Sequence, residues 1–286
     1  MSIKNLAPMV VLSLVPGIAP LSAQLAAPNA MGVSIGHVHV NARDLEAQQR
    51  FWPQLGGTLV HNEKIQMVQF PGMFINLRTQ APTGGTVGSV VNHIGFHVKN
   101  LAEWVPKWEA AGLKVEAGAN PRQKFLAAPD DVRVEIIEDS TIATPVAMHH
   151  IHMYVPDPLE AQGWYIKNFG GTAGKRGQYD TVNFPGAELT LAKSATPQAP
   201  TKGRSIDHIG FEIRNLDQFV KTLKANGIDT DAPIRTSGNA PKLRLAYVVD
   251  PWGTNIELTE GLTPPASARS AAKGSFDLGI PGVLAQ

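Results

Sequence analysis

The sequence repeats itself. Val91–Val115 (VNHIGFHVKNLAEWVPKWEAAGLKV) lies over Ile206–Thr230 (IDHIGFEIRNLDQFVKTLKANGIDT) without a gap, sharing HIGF, NL and a Gly near the end. Upstream, GHVHVNARD (Gly36–Asp44) lies over HHIHMYVPD (His149–Asp157). QFPGMFINLRT (Gln69–Thr79) and NFPGAELTLAK (Asn183–Lys193) share Phe-Pro-Gly, and VRVEIIE (Val132–Glu138) matches TNIELTE (Thr254–Glu260). A repeat of this kind dictates architecture before any residue is given a role. The chain divides into two homologous halves, residues 33–140 and 146–262, joined by a Thr/Ala/Pro stretch at 140–147.

Each half divides again. A short alternating strand (HVHV, HIGFHV) ends at Asn or Asp, a helical stretch such as Leu45–Leu55 or Leu216–Asn226 follows, and Gly stops it. Strands with β-branched, alternating patterns come next. The expected fold class is therefore α+β, with a βαβββ unit repeated four times. Gly- and Pro-rich stretches at 81–88 and 195–204 separate the units within each half. Residues 263–286, rich in Ala, Ser, Pro and Gly, read as a flexible tail.

Composition narrows the chemistry. With 25 Lys+Arg against 24 Asp+Glu the formal charge is +1, and no basic run marks a nucleic-acid surface. There is no Cys, which excludes disulfides, thiolate nucleophiles, zinc ribbons and iron–sulfur clusters. A metal would have to be held by carboxylates and the nine His. Residues 1–30 carry only Lys4 ahead of an apolar stretch, Leu6–Leu21, interrupted by three Pro. That is short for a membrane span, so a secretory signal cleaved near Ala23, followed by a short leader, is expected. Export to a periplasm or the medium, without stable membrane insertion, follows.

Polar residues stand where these strands should be apolar. In the second half they are His150, His208 and Glu257; in the first, His37, His93 and Glu135 occupy the matching places. A lone His on a strand is more often packed in the core, but the joint pattern within one repeated unit favours a site. Two neutral imidazoles and one carboxylate with open positions describe a facial site for a divalent first-row metal. His39 and His152 follow two residues after His37 and His150, so alternation puts them on the same inward face. At roughly 6–7 Å further along the strand they are expected to miss the metal and to serve either as general bases or substrate donors or, equally, as buried structural histidines. His97 shares the face of His93, whereas His149 and His61 are expected to point away or lie in loops. Phe51-Trp52, Trp164-Tyr165, Trp104, Trp108 and Phe219 read as core.

The motifs HVHV…D, NHIGFHV…NL, DHIGFEI…NL and DPWGTNIEL resemble those of the vicinal oxygen chelate superfamily, which includes glyoxalase I, type I extradiol dioxygenases and metal-free bleomycin-binding proteins. The resemblance covers residues 34–261 and implies four units paired into two cupped-sheet domains, with ligands projecting inward from first and last strands. It places metal ligands on His150, His208 and Glu257, and on His37, His93 and Glu135. It also implies a small-molecule substrate with adjacent oxygens, and it leaves a homodimer open. A fourth ligand of the glyoxalase I kind would fall on Asn76 or Thr190, with Glu188 on the same face as Thr190. The three-ligand sets, the four units and Tyr247, ten residues before Glu257, resemble the extradiol dioxygenases more. Fe(II) or Mn(II) is then favoured, with Zn(II) or Ni(II) as alternatives. Phe125 replaces the Tyr in the first half, and dioxygenase histidines are missing near Gly186, Ala187 and Lys242. A ring-cleaving dioxygenase is the first expectation, a glyoxalase-like lyase or isomerase the second, and a metal-free binding protein the third.

Overall fold

The computed structural model describes residues 25–263; the signal as far as Ala23, and the tail beyond residue 263, lie outside the described residues. The first unit comprises β1 (Val33–Ala42), α1 (Leu45–Gln54), β2 (Thr58–Asn62), β3 (Ile65–Phe70) and β4 (Met73–Thr79). The second comprises β5 (Val91–Val98), α2 (Leu101–Ala110), β6 (Val115–Ala117), β7 (Gln123–Ala128) and β8 (Val132–Glu138). The third contains β9 (Val146–Val155), α3 (Pro158–Phe169), β10 (Thr172–Arg176), β11 (Tyr179–Asn183) and β12 (Glu188–Lys193). The fourth contains β13 (Ile206–Ile213), α4 (Leu216–Ala225), β14 (Arg235–Thr236), β15 (Arg244–Val249) and β16 (Asn255–Glu260).

The strand-to-helix turns follow from the Asn or Asp that closes each first strand. The side chains of Asp44, Asn100, Asp157 and Asn215 each accept a backbone N–H of the first helical turn. At the other end of α3, Gly170 caps the helix at φ 71°, a left-handed conformation that Gly adopts freely.

Two eight-stranded sheets result, ordered β14-β15-β16-β13-β1-β4-β3-β2 and β10-β11-β12-β9-β5-β8-β7-β6. The first strand of every unit pairs in parallel with its own last strand and leaves its other edge free. That edge pairs antiparallel with another unit: β1 with β13, and β5 with β9. Each cup thus joins units from opposite halves, the first with the fourth and the second with the third. The halves 33–140 and 146–262 are therefore units of sequence repetition and do not coincide with the two cups. The segments linking first to second unit and third to fourth cross side by side. Thr83 N–H donates to Gly203 O at 2.8 Å, Ser205 N–H to Gly84 O at 2.9 Å, and the Arg204 guanidinium to Gly85 O at 2.7 Å.

The aromatic core ties together the units that the sheets keep apart. Phe70 of the first unit packs on Phe96 of the second at 4.7 Å between ring centres, and Phe169 of the third on Phe211 of the fourth at 4.6 Å. Burying each such ring contributes roughly 1.5–3 kcal/mol. Phe51, Trp52, Trp108, Tyr165 and Phe219 are buried, with Trp104 and Trp164 packed against them, as their spacing implied. The polar ends are satisfied: Trp52 Nε1 donates to Gln48, and Tyr165 Oη to Asp250 at 2.7 Å. Among the described residues no helix is long and apolar enough to cross a membrane.

Candidate metal centres

Across the β1/β13 seam His39 faces His208 and His37 faces Gly210; across β5/β9 His152 faces His93 and His150 faces Gly95. The glycine is required by its neighbour. A Cβ at residue 210 would stand 1.9 Å from His37 Cε1, and one at residue 95 would stand 2.0 Å from His150 Cε1. The Gly of each HIGF makes room for the imidazole of the opposite unit.

In the first cup, the Nε2 atoms of His37 and His208 lie 2.8 and 3.2 Å from Glu257 Oε2. In the second, those of His93 and His150 each lie 2.9 Å from Glu135 Oε2. The residue types expected from sequence converge, but the grouping is corrected. His150 joins His93 and Glu135, while His37 joins His208 and Glu257, because the sheets pair across the halves.

A second correction concerns His39 and His152. Their rings lie 4.4 Å from those of His208 and His93, respectively. The nitrogens of His37, His39 and His208 fall within 4.8 Å of one another, as do the ligand atoms of His93, Glu135, His150 and His152. Distance along the strand had placed these imidazoles too far away, but the partner strand's His is closer than the next residue on their own face. His149 also departs from expectation. The register break between Gly95 and Phe96 leaves it unpaired in the ladder, and its ring stacks on His97 at 3.8 Å. His61 lies on β2, outside both groups.

The hydrogen bonds show what the groups lack. His93 Nδ1 donates to Asn92 Oδ1 at 2.9 Å, and His208 Nδ1 to Asp207 Oδ1 at 2.6 Å. In a neutral ring this leaves Nε2 with a lone pair aimed at a carboxylate oxygen. Such acceptors repel unless a cation lies among them or a proton is shared between them, as at His208, whose pKa is raised. Their separations of 2.8–3.4 Å suit neighbouring ligands with metal bonds of about 2.1 Å. Further buried atoms lack partners: His37 Nδ1, His39 Nε2, Asn76 Oδ1 and both ring nitrogens of His152. The donor set fits a divalent ion in each cup.

Burial lowers the pKa of His37 and His93 despite their carboxylate neighbours, and lowers those of His39 and His150 strongly. His152 is pushed down to about 3 by burial and by the charge of His93. These imidazoles are neutral near pH 7, the form that binds metal or accepts a proton. For His208 burial is outweighed by Asp207 and Glu257, which raise its pKa. Burial would raise both glutamates, but where the adjoining Nε2 atoms carry protons, their hydrogen bonds hold Glu135 and Glu257 well below the usual range.

The remaining expected positions differ between cups. Tyr247 Oη donates to Glu257 Oε1 at 2.6 Å. Phe125 stands in the same register opposite Glu135, and Gln123 Nε2 supplies that donor instead. Asn76 lies beside His39. Thr190 donates to Glu188 at 2.6 Å and accepts from Arg176 at 2.7 Å, while Arg176 also pairs with Glu188 at 3.0 Å. Gln123, Asn92, Asp207, Gly95 and Gly210 were not singled out from sequence. The Asn or Asp before each HIGF, and its Gly, were the available signals.

Residues 147–258 match the family described as the Glyoxalase/Bleomycin resistance protein/Dioxygenase superfamily. The fold is similar to that of glyoxalase I from Zea mays, with a TM-score of 0.62 and 15% identity over 80% of this chain and 92% of that one. It is also similar to a candidate dioxygenase from Bacillus subtilis subsp. subtilis str. 168, with a TM-score of 0.60 and 14% identity over 85% of this chain and 87% of that one. At these identities the likeness is one of fold. No curated protein matches by sequence.

Proposed function

We propose that the chain is a member of the glyoxalase, bleomycin resistance protein and dioxygenase (vicinal oxygen chelate) superfamily, which the match of residues 147–258 and the shared fold support, and that it is a metal-dependent enzyme that moves a proton on a small substrate held through two adjacent oxygens, as glyoxalase-like lyases and isomerases do. The supporting observation is the unpartnered, neutral imidazole beside each His/His/Glu set, His39 in one cup and His152 in the other. A divalent ion, when bound, supplies Lewis acidity toward the chelated oxygens. The chain does the rest. Asn92 and Asp207 fix the tautomers of His93 and His208. His39 or His152 accepts the proton from carbon, and Tyr247 and Gln123 hold the glutamates in place.

Ring cleavage of a catechol is the second reading, favoured by the two-His, one-Glu sets and by Tyr247. It ranks second because the Tyr247 hydroxyl is engaged by Glu257, where burial and that carboxylate keep it protonated. Metal analysis of protein purified without chelators, oxygen uptake with catechol, and deuterium wash-in from D2O into hydroxyacetone separate the readings. Wash-in lowered about 100-fold or more in H39A or H152A, with metal retained, supports the first. Catechol-dependent oxygen uptake with bound iron or manganese replaces it by the second, and absence of metal leaves a binding protein. Export is proposed on Lys4 and Leu6–Leu21 alone; N-terminal sequencing of protein recovered outside the cytoplasm tests it.

A further inference from the structure

The cups share a ligand pattern but not their surroundings. Along the row that crosses the first sheet through His208 and His39, the next residues are Asn76, Met67 and Val60. The same row of the second sheet, through His93 and His152, continues with Thr190, Thr181 and Gly174. Met67 and Val60 belong to a buried apolar cluster with Phe74, Leu243 and Leu262. One cup is therefore walled by bulky apolar side chains, the other by small and polar ones.

Charge separates them further. Arg133 lies on β8 two residues before Glu135, on the same face. Its guanidinium carbon rests 3.8 Å over the Phe125 ring, whose edge meets His93. No carboxylate pairs with it among the described residues, whereas Arg176 in the same cup is held by Glu188 and Thr190. In the first cup Asn255 takes the place of Arg133, and its amide is committed to Asp207 at 3.3 Å. Tyr154 lies 5.3 Å from the His152 ring. Glu116, paired with Lys114 and opposite Phe125 in the ladder, feels the charge of Arg133 without forming an ion pair with it, and a half-buried guanidinium stacked on an aromatic face with no close carboxylate is a site prepared for one.

We propose that the His93/Glu135/His150 cup takes an anionic substrate, a carboxylate that also carries the two chelating oxygens, and that Arg133 binds the carboxylate. This rests on the proposed function for the chelation and adds the charge of the substrate. The two cups then have different ligands: the first, with Asn255 in place of the arginine and an apolar wall, does not prefer an anion.

Calorimetric titration with 3,4-dihydroxybenzoate and with catechol tests this, since the pair differs by one carboxylate and keeps the adjacent oxygens. Metal content measured on the same full-length sample decides the metal reading separately. The wild type is expected to bind the carboxylated probe about tenfold or more tightly than catechol. R133Q should lose that preference and R133K should keep part of it, both with unchanged metal content. Equal binding of the two probes by the wild type, or a preference that survives in R133Q, overturns the proposal whether or not metal is present.

Discussion

His37 Nε2 lies 2.8 Å from Glu257 Oε2, a contact between the first strand of the first unit and the last strand of the fourth. His150 and Glu135 make the corresponding contact at 2.9 Å in the other cup. Each site is therefore assembled from both halves, and damage to either half reaches both sites.

Metal content should report this division. The wild type is expected to carry about two ions per chain, with H208A and H93A each losing about one, from different cups. Elemental analysis reads the stoichiometry. Chelator should lower the melting temperature of the wild type, because an ion bound only by the folded state stabilises it. A double H93A/H208A variant whose melting still responds to chelator would refute this account.

Gly210 and Gly95 should tolerate no side chain. The methyl of G210A or G95A would displace the His37 or His150 imidazole, with an expected loss of about 1–3 kcal/mol and of the ion in that cup alone. Gly163 is the control. It lies exposed in α3 with nothing within 4 Å of an added Cβ, and G163A should gain about 0.5–1 kcal/mol. Denaturant unfolding with metal analysis distinguishes the three.

Tyr247 would act on a bound ion only through Glu257. Y247F removes the 2.6 Å hydrogen bond to Oε1, so affinity in the first cup should fall about tenfold or more. Competition against a metal indicator measures it. The second cup, with Phe125 already at that position, should be unaffected.

Glu212 should make stability depend on pH away from both sites. Burial raises its pKa to about 7 despite hydrogen bonds from Thr259, Gly261 and Leu262. Its folded value lies above its unfolded value, so the native state binds the extra proton. Its stabilising contribution is full below pH 4.5 and is lost as pH rises through about 7. The change is on the order of 2 kcal/mol, allowing for partial exposure. E212Q should flatten stability across that window in urea titrations at several pH values. Glu135 and Glu257, whose pKa values are depressed, act in the opposite sense and lose their contribution as pH falls below the usual carboxylate range.

The repeats, the caps at Asp44, Asn100, Asp157 and Asn215, and the ligand residues were legible because each is a local pattern. The pairing of units was not. GHVHV and HHIHM present nearly the same strand edge, so either could close on HIGF of its own half or of the other. In the folded chain the two linkers cross side by side at Thr83–Gly203 and Gly84–Ser205, a contact that accompanies the cross-half pairing and that no local pattern encodes. His39 and His152 were misplaced for a related reason. Spacing along a strand measures one direction, and their neighbours lie in the other.

The cross-half pairing has a consequence for how two unlike sites came to share one chain. A half-length protein that kept this cross-half pairing could close no cup by itself; two copies would have to associate, and symmetry would make both cups identical. Any substitution would then appear in both at once. Joining the halves covalently breaks that symmetry without moving a strand, and each cup becomes free to drift. Asp207, Tyr247 and Asn255 on one side, and Asn92, Phe125 and Arg133 on the other, are the matching positions at which the two cups differ.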